Sequence, residues 1–288
     1  MITELAQPIL NGILLGGLYA LIAIGMSMMF GIVKLVNLAH GDMMILSSYM
    51  ALVFATWLGI SPFITLGLTI PLMFVVGYLF QAALLNRVLG KGMEPPLLVA
   101  FGMSIILQNF LLMVFTPDAR SLITSLSTQS IIVTDYLSIS VLYMVNFFTA
   151  LVVIALLYFF FQKTYLGRGI RAASDDEVAA RLMGINTHRT YGFAMGIAMM
   201  TAAVAGALVG MTFTFYPYTG PQYLITAFGV VVIGGLGSIK GTFLGGFILA
   251  LAQLLGAQFL GPGFQLLSGY VVLLIVLAIR PQGIFGSV

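Results

Sequence analysis

Charged residues punctuate this chain at long intervals. Residues 5–33, 43–86, 95–117, 136–162, 190–239 and 241–279 contain no Asp, Glu, Lys or Arg. A membrane-spanning helix takes about 20 mostly apolar residues, so each gap holds one or two. Turn residues divide the longer gaps at Gly59, Ser61 and Pro62, at Pro217, Gly220 and Pro221, and at Gly261, Pro262 and Gly263. The pattern predicts nine segments: 9–32, 43–58, 62–85, 96–115, 139–162, 191–213, 223–237, 242–259 and 265–280. The second and seventh are short, which is the mark of a broken or re-entrant helix. The expected fold class is all-α: a polytopic transmembrane helix bundle of 8–10 spans, nine favoured.

Composition restricts function in the same direction. Hydrophobic residues make up 61% of the 288 and charged residues 7%, against roughly 25% charged in a soluble domain. Eleven basic and eight acidic side chains cannot cover a soluble surface of this size. A soluble enzyme, a nucleic-acid binder and a disordered chain are thereby excluded. There is no cysteine, and His40 and His188 are the two histidines; disulfides, thiolate metal sites and cysteine nucleophiles drop out, and no metal cluster is expected. Residues 1–8 hold Glu4 and no basic residue, unlike a cleaved signal peptide, so the first helix is expected to be retained.

Charge also predicts orientation. With nine crossings, the N-terminus outside and the C-terminus inside, ten of the eleven Lys and Arg fall inside, and Arg120 alone falls outside. Two loops then stand out. Residues 116–138 form an external loop rich in Ser and Thr, with Asp118, Arg120 and Asp135. Residues 163–190 form a cytoplasmic loop with Lys163, Arg168, Arg171, Asp175, Asp176, Glu177, Arg181 and Arg189. Ser174 and Glu177 have capping-box spacing, and Val178, Leu182 and Ile185 share one face of the helix that would follow. Gly184 would end it. The loop is either a solvated linker or a docking element for a cytosolic partner.

The stretch Glu177-Val178-Ala179-Ala180-Arg181-Leu182-Met183-Gly184 resembles the E-A-A-x-x-x-G loop of bacterial ABC importer permeases, with Val178 in place of the first Ala. Gly167 to Ala173, Gly184 to Asn186, Gly16 to Leu21, Phe30 to Ile32, Val36 to Asp42, Gly234 to Ser238 and Arg280 to Gly286 are similar to the H-type permease subunit of the branched-chain amino acid importers. The resemblance implies a single permease domain over residues 1–288 in the bacterial inner membrane, with no catalytic residue and no cofactor of its own. It implies a second homologous permease, a periplasmic amino-acid-binding protein, and two cytoplasmic ATPase subunits that bind ATP and Mg. The ATPase-coupling residues would be Arg171, Ser174, Glu177, Ala179, Ala180, Leu182 and Gly184. Branched-chain amino acids are the implied substrates, with urea or a short amide as the alternative.

Gly-interrupted segments in two halves of a transporter point to its transport site. Here they are 31–43 and 229–246, and setting Gly41 against Gly241 suggests a repeat, parallel if both segments cross fully and inverted if one is re-entrant. Asn37, His40, Gly41, Asp42, Gly235 and Gly237 are the candidate translocation-path residues. Asn37, His40 and Asp42 read either as a polar lining or as a hydrogen-bonded turn. The Gly pairs 12/16, 192/196, 206/210 and 241/245 fit close helix packing, inside the chain or against a second subunit. Gly234 to Thr242 has a phosphate loop's glycines, but its order is Lys-Gly-Thr where Gly-Lys-Thr is needed. A secondary transporter acting alone would carry several intramembrane ionisable residues, and Asp42 is the one candidate.

Overall fold

The computed structural model describes residues 2–134 and 137–286, with side chains from Leu5 onward. Asp135 and the Glu4 side chain, both named above, lie outside the described residues. Helices dominate. The first half contains α1 (Ile2–Val33), α2 (His40–Leu58), α3 (Pro62–Ala83) and α4 (Glu94–Phe115). The middle contains α5 (Val141–Lys163), α6 (Tyr165–Asp175) and α7 (Glu177–Leu182). The second half contains α8 (Thr187–Thr212), α9 (Gly220–Gly234), α10 (Ile239–Leu260) and α11 (Gln265–Ile279).

All nine expected segments are helical, and among the described residues eight helical stretches are long and apolar enough to cross a membrane, α11 together with the turn before it from Pro262. The exception is the seventh. α9 has 15 residues, about 22 Å at 1.5 Å per residue, short of a hydrocarbon core of about 30 Å. The second segment is longer than the reading allowed, since α2 begins at His40. Two departures from a plain helical reading lie in the loops. Strands β1 (Ser130–Thr134) and β2 (Leu137–Ser140) pair antiparallel between α4 and α5. Ile131, Ile132 and Val133 are β-branched and exposed, which suits a strand and was hidden by the Ser and Thr around them. α6 was also unforeseen: Thr164 Oγ1 accepts from Gly167 N at 3.0 Å and caps it.

α1 and α8 are almost wholly buried, and the other long helices surround them. Their glycines explain the closeness. Gly12 and Gly16 face Leu251 and Phe247 of α10, while Gly192 and Gly196 face Tyr78 and Phe74 of α3. Gly206 meets Ser47 and Ser48 of α2, Gly210 meets Leu122, and Gly241 and Gly245 meet the backbone of α9. All four pairs therefore pack internally.

These contacts follow a repeat. α1 packs on α10 as α8 packs on α3, α1 on α9 as α8 on α2, and α2 meets α9 across the centre. Helices 1–4 thus correspond to helices 8–11. The two units are inverted: Gln7 near the start of α1 bonds Ser138 of the loop that also packs on the end of α8, and α2 and α9 meet at their N-termini, where Gly41 abuts Gly220 and Leu224. The Gly41/Gly241 register proposed from sequence is corrected by this packing. The counterpart of the start of α2 is the start of α9 at Gly220, where Pro221 occupies the first turn.

α8 separates the two long loops. Near its start, Tyr191 Oη donates to the carbonyl of Ala173 in α6 at 3.4 Å. Near its end, Leu122 N donates to the Gly210 carbonyl at 2.8 Å, and Arg120 and Phe215 exchange two backbone bonds of 3.0 and 2.9 Å. The loop carrying Arg120 and the loop carrying Arg171 therefore sit at opposite ends of the bundle.

Candidate functional site

The polar loop builds two short helices in sequence. α6 turns its Gly167, Ile170 and Ala173 inward, with Arg168 and Arg171 exposed. Ser174 lies inside α6, where its Oγ donates to the Gly31 carbonyl at 2.6 Å. It does not cap α7. That role falls to Asp176, whose Oδ1 accepts from Val178 N and Ala179 N, each at 2.9 Å. Asp is as good a cap as Ser, and the capping-box spacing drew the sequence reading two residues early.

α7 is pinned from below and bare above. Ala180 is buried. Glu177 pairs with Arg181, whose Nε donates to Thr187 Oγ1 at 2.9 Å. Gly184 adopts φ +84° and donates to the Arg181 carbonyl at 3.0 Å, ending the helix. Val178, Leu182 and Met183 are 69%, 83% and 83% exposed, so three large apolar side chains crown a charged loop. Ile185 is not among them: it turns inward against the core, because Gly184 reverses the chain before it. Ala179 is exposed beside the crown, whereas Arg171 lines a cleft with Lys240 and Ser174. The structure thus divides the expected coupling residues into Glu177, Ala179, Leu182 and Gly184, exposed on α7 and its end, the buried Ala180 beneath them, and the pair Arg171 and Ser174, which lines the cleft.

The path candidates also divide into two groups. Asn37, His40, Gly41 and Asp42 are all buried where the peptide 34–39 leads into α2. Asn37 Oδ1 accepts from Ala39 N at 3.0 Å and its carbonyl from His40 N at 3.1 Å, so Asn37 shapes the turn. His40 Nε2 bonds the Ile22 carbonyl at 2.9 Å. Asp42 Oδ2 accepts from Ser104 Oγ at 2.5 Å, and Gln108 Nε2 donates to that same hydroxyl at 3.1 Å. Ser104 and Gln108 were not anticipated, since nothing in the sequence joins positions 62 and more residues apart. A Cβ on Gly41 would overlap the Gly220 carbonyl oxygen and lie 2.9 Å from Leu224 N. The arrangement joins two helix N-termini around one carboxylate, a favourable placement for negative charge.

Gly235 and Gly237 lie elsewhere, in the turn between α9 and α10, at φ +104° and +81°. The C-terminal tail fills this turn: Ile284 N donates to the Ile233 carbonyl at 2.9 Å and Phe285 N to that of Gly234 at 3.0 Å. Its Gly-rich peptide is therefore occupied by the chain's own backbone. Gly237 backs onto Gly31, so the two segments 31–43 and 229–246 do touch, at the turn between α9 and α10 and away from His40.

Residues 8–279 match the family model described as branched-chain amino acid transport system / permease component. The chain belongs to this family. It is 32% identical to the high-affinity branched-chain amino acid transport system permease protein BraD of Pseudomonas aeruginosa, over 97% of this chain and 95% of that one. It is also 32% identical to the protein of that description called LivH in Escherichia coli K12, with the same shares covered. The LivH protein of Salmonella typhimurium is 31% identical over 97% of this chain and 95% of its own length.

Proposed function

We propose that this chain is the transmembrane permease subunit of an ATP-driven importer that moves branched-chain amino acids across the bacterial inner membrane. The observation that carries the reading is the family match, which runs from residue 8 to residue 279. The relatives' printed descriptions supply the substrate class.

The geometry suits the division of labour. The end of the bundle with Arg171 and Lys240 faces the cytosol, by the excess of basic residues there. The exposed Val178 and Leu182 of α7, with Met183 just past its end, seat in a cleft of an ATPase subunit, an amphipathic helix laid in an apolar groove. Glu177, Arg181 and Thr187 hold α7 stiffly on α8, so a push on α7 reaches the central helix. α8 contacts α2, α3 and α1, and its displacement tilts the half-helices that meet at Gly41 and Gly220. The path opens alternately to either side beside that meeting point, with Asn37, His40 and Asp42 as its nearest polar groups. ATP and Mg are bound by two partner ATPases, a second permease completes the pathway, and a periplasmic binding protein delivers substrate to the face that carries residues 116–138.

Uptake of labelled leucine, isoleucine, valine and urea by a strain lacking this chain tests the reading. Loss of the three amino acids with urea uptake intact supports it. Selective loss of urea uptake would transfer the assignment to the amide importers. Proteolysis or thiol labelling of residues 174–185 from the outer face would refute the orientation.

A further inference from the structure

A cleft and a groove join at the basic end of the bundle. The cleft, about 340 Å³, lies where α1, α5 and α6 meet the turn before α10. Arg171, Lys240, Gln162, Ser174 and Ser238 supply its polar wall, and among the described residues none that lines it is acidic. The Ser174 bond to Gly31 fixes α6 against α1, and Arg171, three residues earlier, shares that helix face. The groove, about 550 Å³, runs between α5 and α10 along Leu151, Ile154, Phe159, Phe243 and Leu244. Tyr158, Ile239 and Lys240 line both spaces, so the apolar trough ends at Lys240, where the cleft that also holds Arg171 begins.

We propose that this continuous site holds one anionic phospholipid, its phosphodiester between Arg171 and Lys240 and an acyl chain along the α5–α10 groove. Two features select this occupant. Charge is complementary: basic pockets between membrane helices attract anionic headgroups. Length agrees as well: Leu151 to Phe159 spans about 12 Å of helix, close to the roughly 15 Å of hydrocarbon in one leaflet, half of a core of about 30 Å. A protein helix seated along the groove would leave the two cations without anions. The lipid braces α6, the helix that leads directly into α7, against α10. The proposal uses the orientation above only to say that the cytosolic leaflet supplies the lipid.

The test uses the intact importer complex in nanodiscs with a photoactivatable phosphatidylglycerol or phosphatidylcholine, the reactive group on the acyl chain, followed by peptide mapping. The phosphatidylglycerol probe should label residues 151–159 and 239–244 in preference to the phosphatidylcholine probe. Each of Arg171→Gln and Lys240→Gln should lower that labelling about fivefold, as loss of about 1 kcal/mol per cation requires, and leave phosphatidylcholine labelling unchanged. Ala155→Trp, which fills the groove and touches neither charge, should also abolish the preference. Equal labelling by the two probes, labelling unaffected by the Gln variants, or crosslinks from this groove to a second permease in place of lipid would each overturn the proposal. Nanodiscs expose both leaflets and the readout involves no transport, so a wrong substrate or orientation leaves this result untouched.

Discussion

The two inverted units and the segment inserted between them are built on opposite rules. In the units, helices 1–4 and 8–11, backbones approach so closely that a single methyl group has nowhere to go, as at Gly41, Gly220 and Gly245. In the insert, residues 116–186, glycines such as Gly169 and Gly184 have no neighbour within 4 Å of an added Cβ, and the large apolar residues of α7 face outward. Where the units meet, they therefore derive stability from fit, and added volume is opposed by backbone. Within the insert α7 has surface to offer a partner, and its exposed Val178 and Leu182 can change without disturbing the bundle. The contrast implies that substitutions in the units report on folding, and substitutions in α7 report on coupling.

The largest effect should come from Gly41→Val, which drives a branched side chain into the Gly220 carbonyl and the Leu224 amide. Backbone cannot yield there as a flexible side chain would, so we expect a loss of about 3 kcal/mol or more. The variant should fail to give a monodisperse, folded protein in detergent. Gly102→Val provides the comparison, since a Cβ at Gly102 meets nothing within 4 Å; its melting temperature should lie near that of the parent. Equal damage from both would remove the distinction between a fitted centre and a tolerant periphery.

Next is Leu182→Glu. Leu182 is 83% exposed, so the change costs the bundle little and its melting temperature should hold. If α7 is the seat of the ATPase, a buried charge at the interface should weaken recovery of ATPase chains at least tenfold, as at a central apolar contact. Glu177→Lys should act in the same direction by replacing the Arg181 pairing with repulsion, with membrane insertion intact and transport uncoupled. Normal ATPase recovery in both variants would mean that α7 is not the docking element.

Ser104→Ala comes third and returns to the units. It removes the hydroxyl that donates to Asp42, and a buried carboxylate that loses a donor costs about 1–3 kcal/mol. The expected result is a modestly lowered melting temperature with ATPase recovery unchanged, the reverse of the Leu182 pattern.

Much of this was legible in the sequence. Charge-free runs are set by the lipid environment and survive any packing detail, so all nine helical segments were found, eight of them within a few residues of their observed bounds; α1 starts seven residues before its expected start. Turn residues such as Gly59 and Pro62 marked the breaks. The repeat was misregistered because its units share shape more than residues: α2 starts at His40 behind Asn37, and α9 starts at Gly220 before Pro221. Ser104 and Gln108 were missed since only the fold carries α4 to Asp42. Ser174 was read as a cap because local spacing cannot tell a serine facing its own helix end from one reaching Gly31, 143 residues away.

The finest test of the contrast is Gly184→Ala. Gly184 sits at φ +84°, where an added Cβ meets no neighbour, so the only cost is that of a left-handed residue, about 1 kcal/mol. Relief of that strain requires the chain to reverse differently after Met183, which moves the exposed crown of α7 relative to α8. ATPase affinity should therefore fall by up to about fivefold, the equivalent of about 1 kcal/mol, while the melting temperature stays constant. Gly184→Asn, which tolerates the left-handed region better, should recover most of the loss. Were Asn to behave no better than Ala, the effect would belong to side-chain bulk at the interface, and the backbone reversal would have no part in presenting α7.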